Sequence, residues 1–193
     1  MNARDVILNT LRGSLRGVSV APLPPLDGDW ISYPDLEAQF ISAASELPAQ
    51  VVVTTASFIE VVEGLDVYRN ATNVLSLVEG VGSGPRILDD PHEAASLDLT
   101  IARGQIGVAE SGAIWVTGQG MSQRSALFLA QHLVLLLDRK RIVPHLLAAY
   151  EQLDVTEDAY GCFIAGPSKT ADIEQALVVG AHGPRSATIV LHA

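Results

Sequence analysis

The run HLVLLLD, residues 132–138, sets five consecutive branched aliphatic residues between two polar ones. It is too short for a typical globular helix and far below the roughly 18–20 apolar residues of a membrane span. An unbroken apolar run of strand length reads as a strand buried on both faces, the kind that sits inside a parallel sheet covered on both sides. ATIVLH (187–192), CFIAG (162–166) and VVVTT (51–55) supply further strands. A helical stretch around 58–67 separates VVVTT from the apolar run NVLSLVE (73–79), a strand–helix–strand unit that suggests parallel strands joined by a crossover helix. The chain therefore reads as α/β.

With 193 residues and 48% hydrophobic content, the sequence supports one domain with a sizeable core. The N-terminal ARDVILNTLRG reads as a short helix, and APLPPLDGD as a Pro-rich linker, so residues 1–30 form a leading segment and 31–193 the domain proper. A second helix is expected over about 34–47, another in SALFLAQ from residue 125, and an amphipathic helix in RIVPHLLAAYEQL with Pro144 in its first turn.

Charge and residue counts exclude several functions. A net charge of −10 and a pI near 4.8 oppose general attraction to nucleic acid or to anionic membranes. The basic run 139–141 reads as a solvated turn. The N-terminus carries charges where a signal peptide has its apolar stretch, so a soluble cytoplasmic protein without membrane insertion is expected. Cys162 is the only cysteine, so this chain alone makes no internal disulfide and holds no four-thiolate iron–sulfur cluster. In its apolar setting, Cys162 reads as an inert thiol. The five histidines show no metal-ligand spacing, and no metal site is expected.

Two segments concentrate chemistry. In IGVAESGAIWVTG (106–118), apolar runs flank Ser111-Gly112, a pair suited to closing a tight hairpin, which puts Glu110 at the hairpin rim. After it, Gly118 and Gly120 precede a helix with Ser122 as the expected N-cap and Arg124 in its first turn. Free N–H groups there, together with a guanidinium fork that opposes the helix dipole, suit a carboxylate or phosphate. The second segment, GPSKTADIEQALVVGAHGP (166–184), reads as a loop leaving a strand, then a short helix capped by Ser168 or Thr170 and ended by Gly180, with Ile173, Ala176 and Leu177 toward the sheet. Asp172 and Glu174 complement its dipole. One hydroxyl is spare after capping, and it is expected to share a pocket with Glu110 at the C-terminal ends of the strands, where open α/β sheets place ligands.

The second string closely resembles the C-terminal signature of the LUD domain, the lactate-utilisation family, in particular its short C-type member. IGVAESGAIWVTG is similar to the family's earlier segment, and RIVPHLLAA to its intervening stretch. The resemblance covers roughly the second half of the chain. It implies a three-layer α/β/α fold with a mainly parallel sheet and an antiparallel edge, like the sugar-phosphate isomerases and CoA transferases. It also implies a part in a bacterial three-component system that oxidises L-lactate to pyruvate, with cysteine-rich iron–sulfur proteins as partners. The single Cys162 fits the C-type role.

Three readings stand. In the first, the chain is a cluster-free component that binds a small carboxylate such as lactate or pyruvate through Gly118, Gly120, Ser122, Arg124, Gly166, Ser168, Thr170 and His182. In the second it is a stand-alone CoA-transferase-like or hydrolase-like enzyme with Glu110 as nucleophile, the AESG turn being similar to the glutamate turn of CoA transferases; Asp172 is a further catalytic candidate. In the third it is a binding or regulatory module. The only lysines are Lys140 and Lys169, which argues against a groove for a CoA nucleotide. Whether a nucleotide or CoA binds stays open.

Overall fold

The computed structural model describes residues 2–19, 28–82, 88–154, 160–171, 177–179 and 183–193. In chain order its elements are α1 (Ala3–Ser14), α2 (Leu36–Glu46), β1 (Gln50–Val53), α3 (Phe58–Gly64), α4 (Asp66–Arg69), β2 (Val74–Ser76), a 3₁₀ turn (Pro91–Ser96), β3 (Leu99–Arg103), β4 (Ile106–Val108), β5 (Ala113–Thr117), α5 (Ala126–Leu129), β6 (His132–Asp138), a second 3₁₀ turn (Arg139–Arg141), β7 (Ile142–Val143), α6 (Leu146–Tyr150), β8 (Gly161–Ile164), β9 (Lys169–Ala171), β10 (Leu177–Val179) and β11 (Ser186–His192).

β6 coincides with HLVLLLD and lies near the middle of a five-stranded, wholly parallel sheet of order β1-β11-β6-β3-β2. Its period-2 alternation sorts the core. Leu133, Leu135 and Leu137, with Ile189 and Leu191, meet Phe40 and Ala44 of α2 and Ile114 and Val116 of a second sheet. Val134 and Leu136, with Val190 and Ile101, face Val62 of α3 and the partly buried Val67 and Tyr68 beside it. Both faces are thus dry, as the unbroken apolar run requires.

Antiparallel pairing lies outside that sheet, in a two-stranded ribbon of β9 and β10 and in a mixed four-stranded sheet of order β7-β4-β5-β8, which packs beside α2 over one face of the parallel sheet. β4 and β5 form the hairpin read from the sequence, turning through residues 109–112. β3 had no counterpart in that reading. It is a central strand, and Thr100, fully buried, donates from Oγ1 to the Ala126 carbonyl at 2.9 Å, which fastens α5 across the sheet.

Four expectations are corrected. α5 begins at Ala126 with Ser125 at its cap position, so Ser122 caps no helix; its Oγ instead accepts from the Leu88 N–H at 2.9 Å. Pro144 precedes α6, whose cap is His145, because Ile142 and Val143 first pair with β4 as β7. The basic run 139–141 is not simply solvated: Arg139 Nε bonds Glu37 Oε2 at 2.6 Å and ties α2 to the end of β6. Finally, the helix expected after Ser168 is absent at both of its described ends, because Lys169–Ala171 and Leu177–Val179 pair as an antiparallel ribbon. Strand pairing gives the backbone of the Val-rich LVV run a partner, and β-branched residues fit a pleated strand better than a short helix. Neither Ser168 nor Thr170 therefore serves as a helix cap there.

Candidate functional site

The turn 166–168 leaves β8 and leads into the ribbon. Gly166 takes φ +71°, and a Cβ on it would stand 2.5 Å from the Leu47 carbonyl oxygen at the end of α2, so only glycine lets the turn approach that closely. The Ser168 N–H donates to the Pro184 carbonyl at 3.0 Å, which ties the turn to the segment leading into β11. Gly183 lies against Ser168; a Cβ there would sit 2.9 Å from the serine Cβ and 3.0 Å from the Phe128 carbonyl oxygen.

These contacts wall a cavity of about 230 Å³. Ser168 and Lys169 supply its polar groups, and Leu127, Phe128, Ile164 and Pro184 much of its apolar wall. Leu133, the second residue of β6, also lines it, as does Gly183, just before β11. The cavity thus lies at the amino-terminal edge of these strands, not at their carboxyl ends. The lining mixes a lysine and a serine with apolar side chains.

The other residues singled out from the sequence are distributed elsewhere. Glu110 is not among those lining this cavity. Its Oε1 accepts from the Leu146 N–H at 2.9 Å, and its own N–H donates to Pro144 at 3.1 Å, so the carboxylate closes the start of α6. Ser122 and Arg124 line a separate shallow recess with Met121 and Gln123. The Arg124 guanidinium lies 4.9 Å from the Tyr160 ring centre, a cation–π stack. Burial and a hydrogen bond with Cys162 push the Tyr160 hydroxyl up to about 12, and the nearby Arg124 charge pulls the other way. The Gly118 N–H donates to the Tyr160 carbonyl at 3.0 Å, and Gly120, with φ +74°, turns the chain toward that stack. The Gly118–Arg124 loop is thus held by its own contacts, and α5, at four residues, is too short to present an anion site. Thr170 is placed by its backbone alone, in β9; Asp172 and His182 lie outside the described residues.

Lys169 was not among the expected binding residues. The signal for it was its rarity: it is one of two lysines in an acidic chain, next to Ser168. Cys162 is half-buried. Among the described residues, no group of three or more histidines, cysteines or carboxylates is arranged to hold a metal ion.

Fold and site together define an α/β protein whose ligand-sized cavity sits at the leading edge of a parallel sheet. The chain belongs to the LUD domain family, whose model matches residues 67–192. Among curated proteins, it is 34% identical over 110 residues to "Lactate utilization protein C 1" of Bacillus mycoides, covering 53% of this chain and 47% of that protein. It is 37% identical over 90 residues to "Lactate utilization protein C" of Bacillus pumilus, covering 44% and 38%. The chain thus spans about half the length, or less, of these relatives. Among solved structures, that of a DUF162 family protein from Deinococcus radiodurans superposes with a TM-score of 0.63 at 14% identity, covering 85% of this chain and all of that one. That likeness carries the fold. No helix among the described residues is long and apolar enough to cross a membrane.

Proposed function

We propose that the chain is a cluster-free component of a bacterial L-lactate utilisation system, working beside iron–sulfur proteins and holding a small carboxylate such as lactate or pyruvate in the Ser168–Lys169 cavity. The names of its relatives support the system. The observation that carries the site is Lys169, one of two lysines in the chain, lining a small cavity with Ser168 and the apolar side chains of Leu127, Phe128 and Ile164. A carboxylate pairs with the ammonium, and the ligand's short carbon chain displaces water from Phe128 and Ile164.

Thermal-shift measurements with L-lactate, pyruvate and acetyl-CoA test this reading. A ligand held at a hundredfold its Kd stabilises the fold by about 2.7 kcal/mol, so a true ligand raises the melting temperature visibly. L-Lactate or pyruvate is expected to do so with the parent chain and to fail with Lys169→Ala. A response to acetyl-CoA alone, or a lactate response that Lys169→Ala leaves intact, would overturn it.

A further inference from the structure

The same edge of the parallel sheet carries a second cavity on its opposite face, of about 370 Å³, where Val67 and Ala71 stand among polar residues. Its position follows from strand alternation: Leu133 points into the first cavity, and its neighbour His132 into this one. Leu99, His132 and Ser186 are in register across β3, β6 and β11, so Asp98, His132 and Arg185 come together at the starts of three adjacent strands. Asp66 and Asn70, at the two ends of α4, and Gln131 complete the polar wall.

Each group is already held for a purpose. His132 Nδ1 lies 2.8 Å from Ser186 Oγ, which fixes the ring and leaves Nε2 without a partner among the described residues. Asp98 Oδ2 accepts from the Thr72 and Asn73 N–H groups at 2.8 Å each, while Oδ1 takes no hydrogen bond among the described residues. Asp66 Oδ1 forms an exposed ion pair with Arg69 at 2.9 Å. The exposed Arg185 has its backbone N–H on the Gln131 carbonyl at 2.7 Å, and its guanidinium makes no ion pair among the described residues. The cavity is therefore lined by an arginine without an ion pair among the described residues and by a histidine, beside two carboxylates that can accept hydroxyl protons.

We propose that this cavity is a second ligand site, selective for a hydroxylated monocarboxylate larger than lactate. Arg185 takes the carboxylate through its planar fork, His132 Nε2 bonds the adjacent hydroxyl, and Asp98 and Asp66 accept from hydroxyls farther along the chain. A dianionic phosphate is disfavoured, because the Asp98 carboxylate stands beside Arg185 and the second carboxylate, Asp66, already occupies Arg69. The Asn70 and Gln131 amides, which both donate and accept, suit hydroxyls, and Val67 and Ala71 lie against the carbon backbone that carries them.

Isothermal titration calorimetry on the full chain, with gluconate, L-lactate and inorganic phosphate as probes, tests the assignment. Gluconate is expected to bind, to lose at least tenfold in affinity in Arg185→Ala and in His132→Phe, and to be unaffected by Lys169→Ala. Arg185 is exposed, so its removal leaves the fold intact, and the melting temperature of each variant checks this. Absence of gluconate binding, binding indifferent to Arg185→Ala, or tighter binding of phosphate at the same residues would each overturn the proposal. Lactate binding lost in Lys169→Ala but kept in Arg185→Ala supports two separate sites, whereas lactate failing to bind anywhere counts only against the lactate reading.

Discussion

Glu110 and Leu146 are 36 residues apart in sequence, yet the Glu110 carboxylate accepts the Leu146 N–H at 2.9 Å and so joins the β4–β5 hairpin to the start of α6. The bond satisfies one of the N–H groups that a helix start leaves without an internal partner. Glu110→Ala is expected to lower unfolding free energy by about 1 kcal/mol, as the loss of a helix cap does, and Glu110→Gln to restore most of it. Urea denaturation of the three proteins checks this. A nucleophilic glutamate behaves in the opposite way, with acyl-CoA chemistry lost in the Gln variant and stability unchanged.

Gly166→Ala is expected to be among the more damaging single substitutions at the cavity. The positive φ alone costs a non-glycine residue about 1–2 kcal/mol, and the new methyl meets a backbone carbonyl that cannot rotate aside. A loss of more than about 2 kcal/mol in chemical denaturation, with lactate affinity falling as the turn shifts, is the expected outcome. A variant as stable as the parent would show that the end of α2 yields easily.

Hydrogen bonds from the backbone N–H of Asn73 and then of Thr72 hold the Asp98 carboxyl below its ordinary value of 3.8. A carboxylate with a depressed folded value contributes stability that is present above pH 3.8 and is lost as pH falls through that folded value. Parent and Asp98→Asn should therefore differ most near neutral pH and converge in acid. Thermal melts from neutral to strongly acidic pH measure the gap; a constant gap would mean that the charge on Asp98 is not what matters.

Much of this fold was legible because its central strands are hydrophobic on both faces. HLVLLLD and ATIVLH admit few other states, and the Ser111-Gly112 pair marked the hairpin. β3 was harder to see because Thr100 interrupts its apolar run, and only the structure reveals the Ala126 carbonyl that satisfies that hydroxyl. The 166–184 stretch misled for a related reason. Acidic residues after a hydroxyl resemble a capped helix start, whereas the pairing of Leu177–Val179 with Lys169–Ala171 is a contact between segments that no local pattern encodes. The His132 cavity depends on which neighbours three parallel strands acquire, and the Lys169 cavity on where β6, β8 and the segment before β11 meet. For that reason Lys169, His132 and Arg185 carried no signal stronger than their residue type.

Cluster chemistry makes a further prediction. A single half-buried thiol offers one ligand where an iron–sulfur centre requires several. Reconstitution of the purified chain with iron and sulfide is expected to leave no stable visible absorption and no stoichiometric iron after desalting. Retention of about four irons per chain would show that copies of the chain pool their cysteines around a shared cluster.

The position of β11 between β1 and β6 dictates an order of events during synthesis. β1 is made early, yet its only neighbour in the sheet among the described residues is β11, whose first residue, Ser186, comes 133 residues after the last of β1, Val53. At about 5–20 residues per second, the ribosome needs roughly 7–27 s to cross that interval. For that time β1 is an unpaired strand, and one long apolar edge of β6 has no companion. A nascent chain in this state has two seams that fit other extended segments as well as they fit β11, so yield in the cell should depend on how quickly the final strand arrives and on what shields those seams until it does.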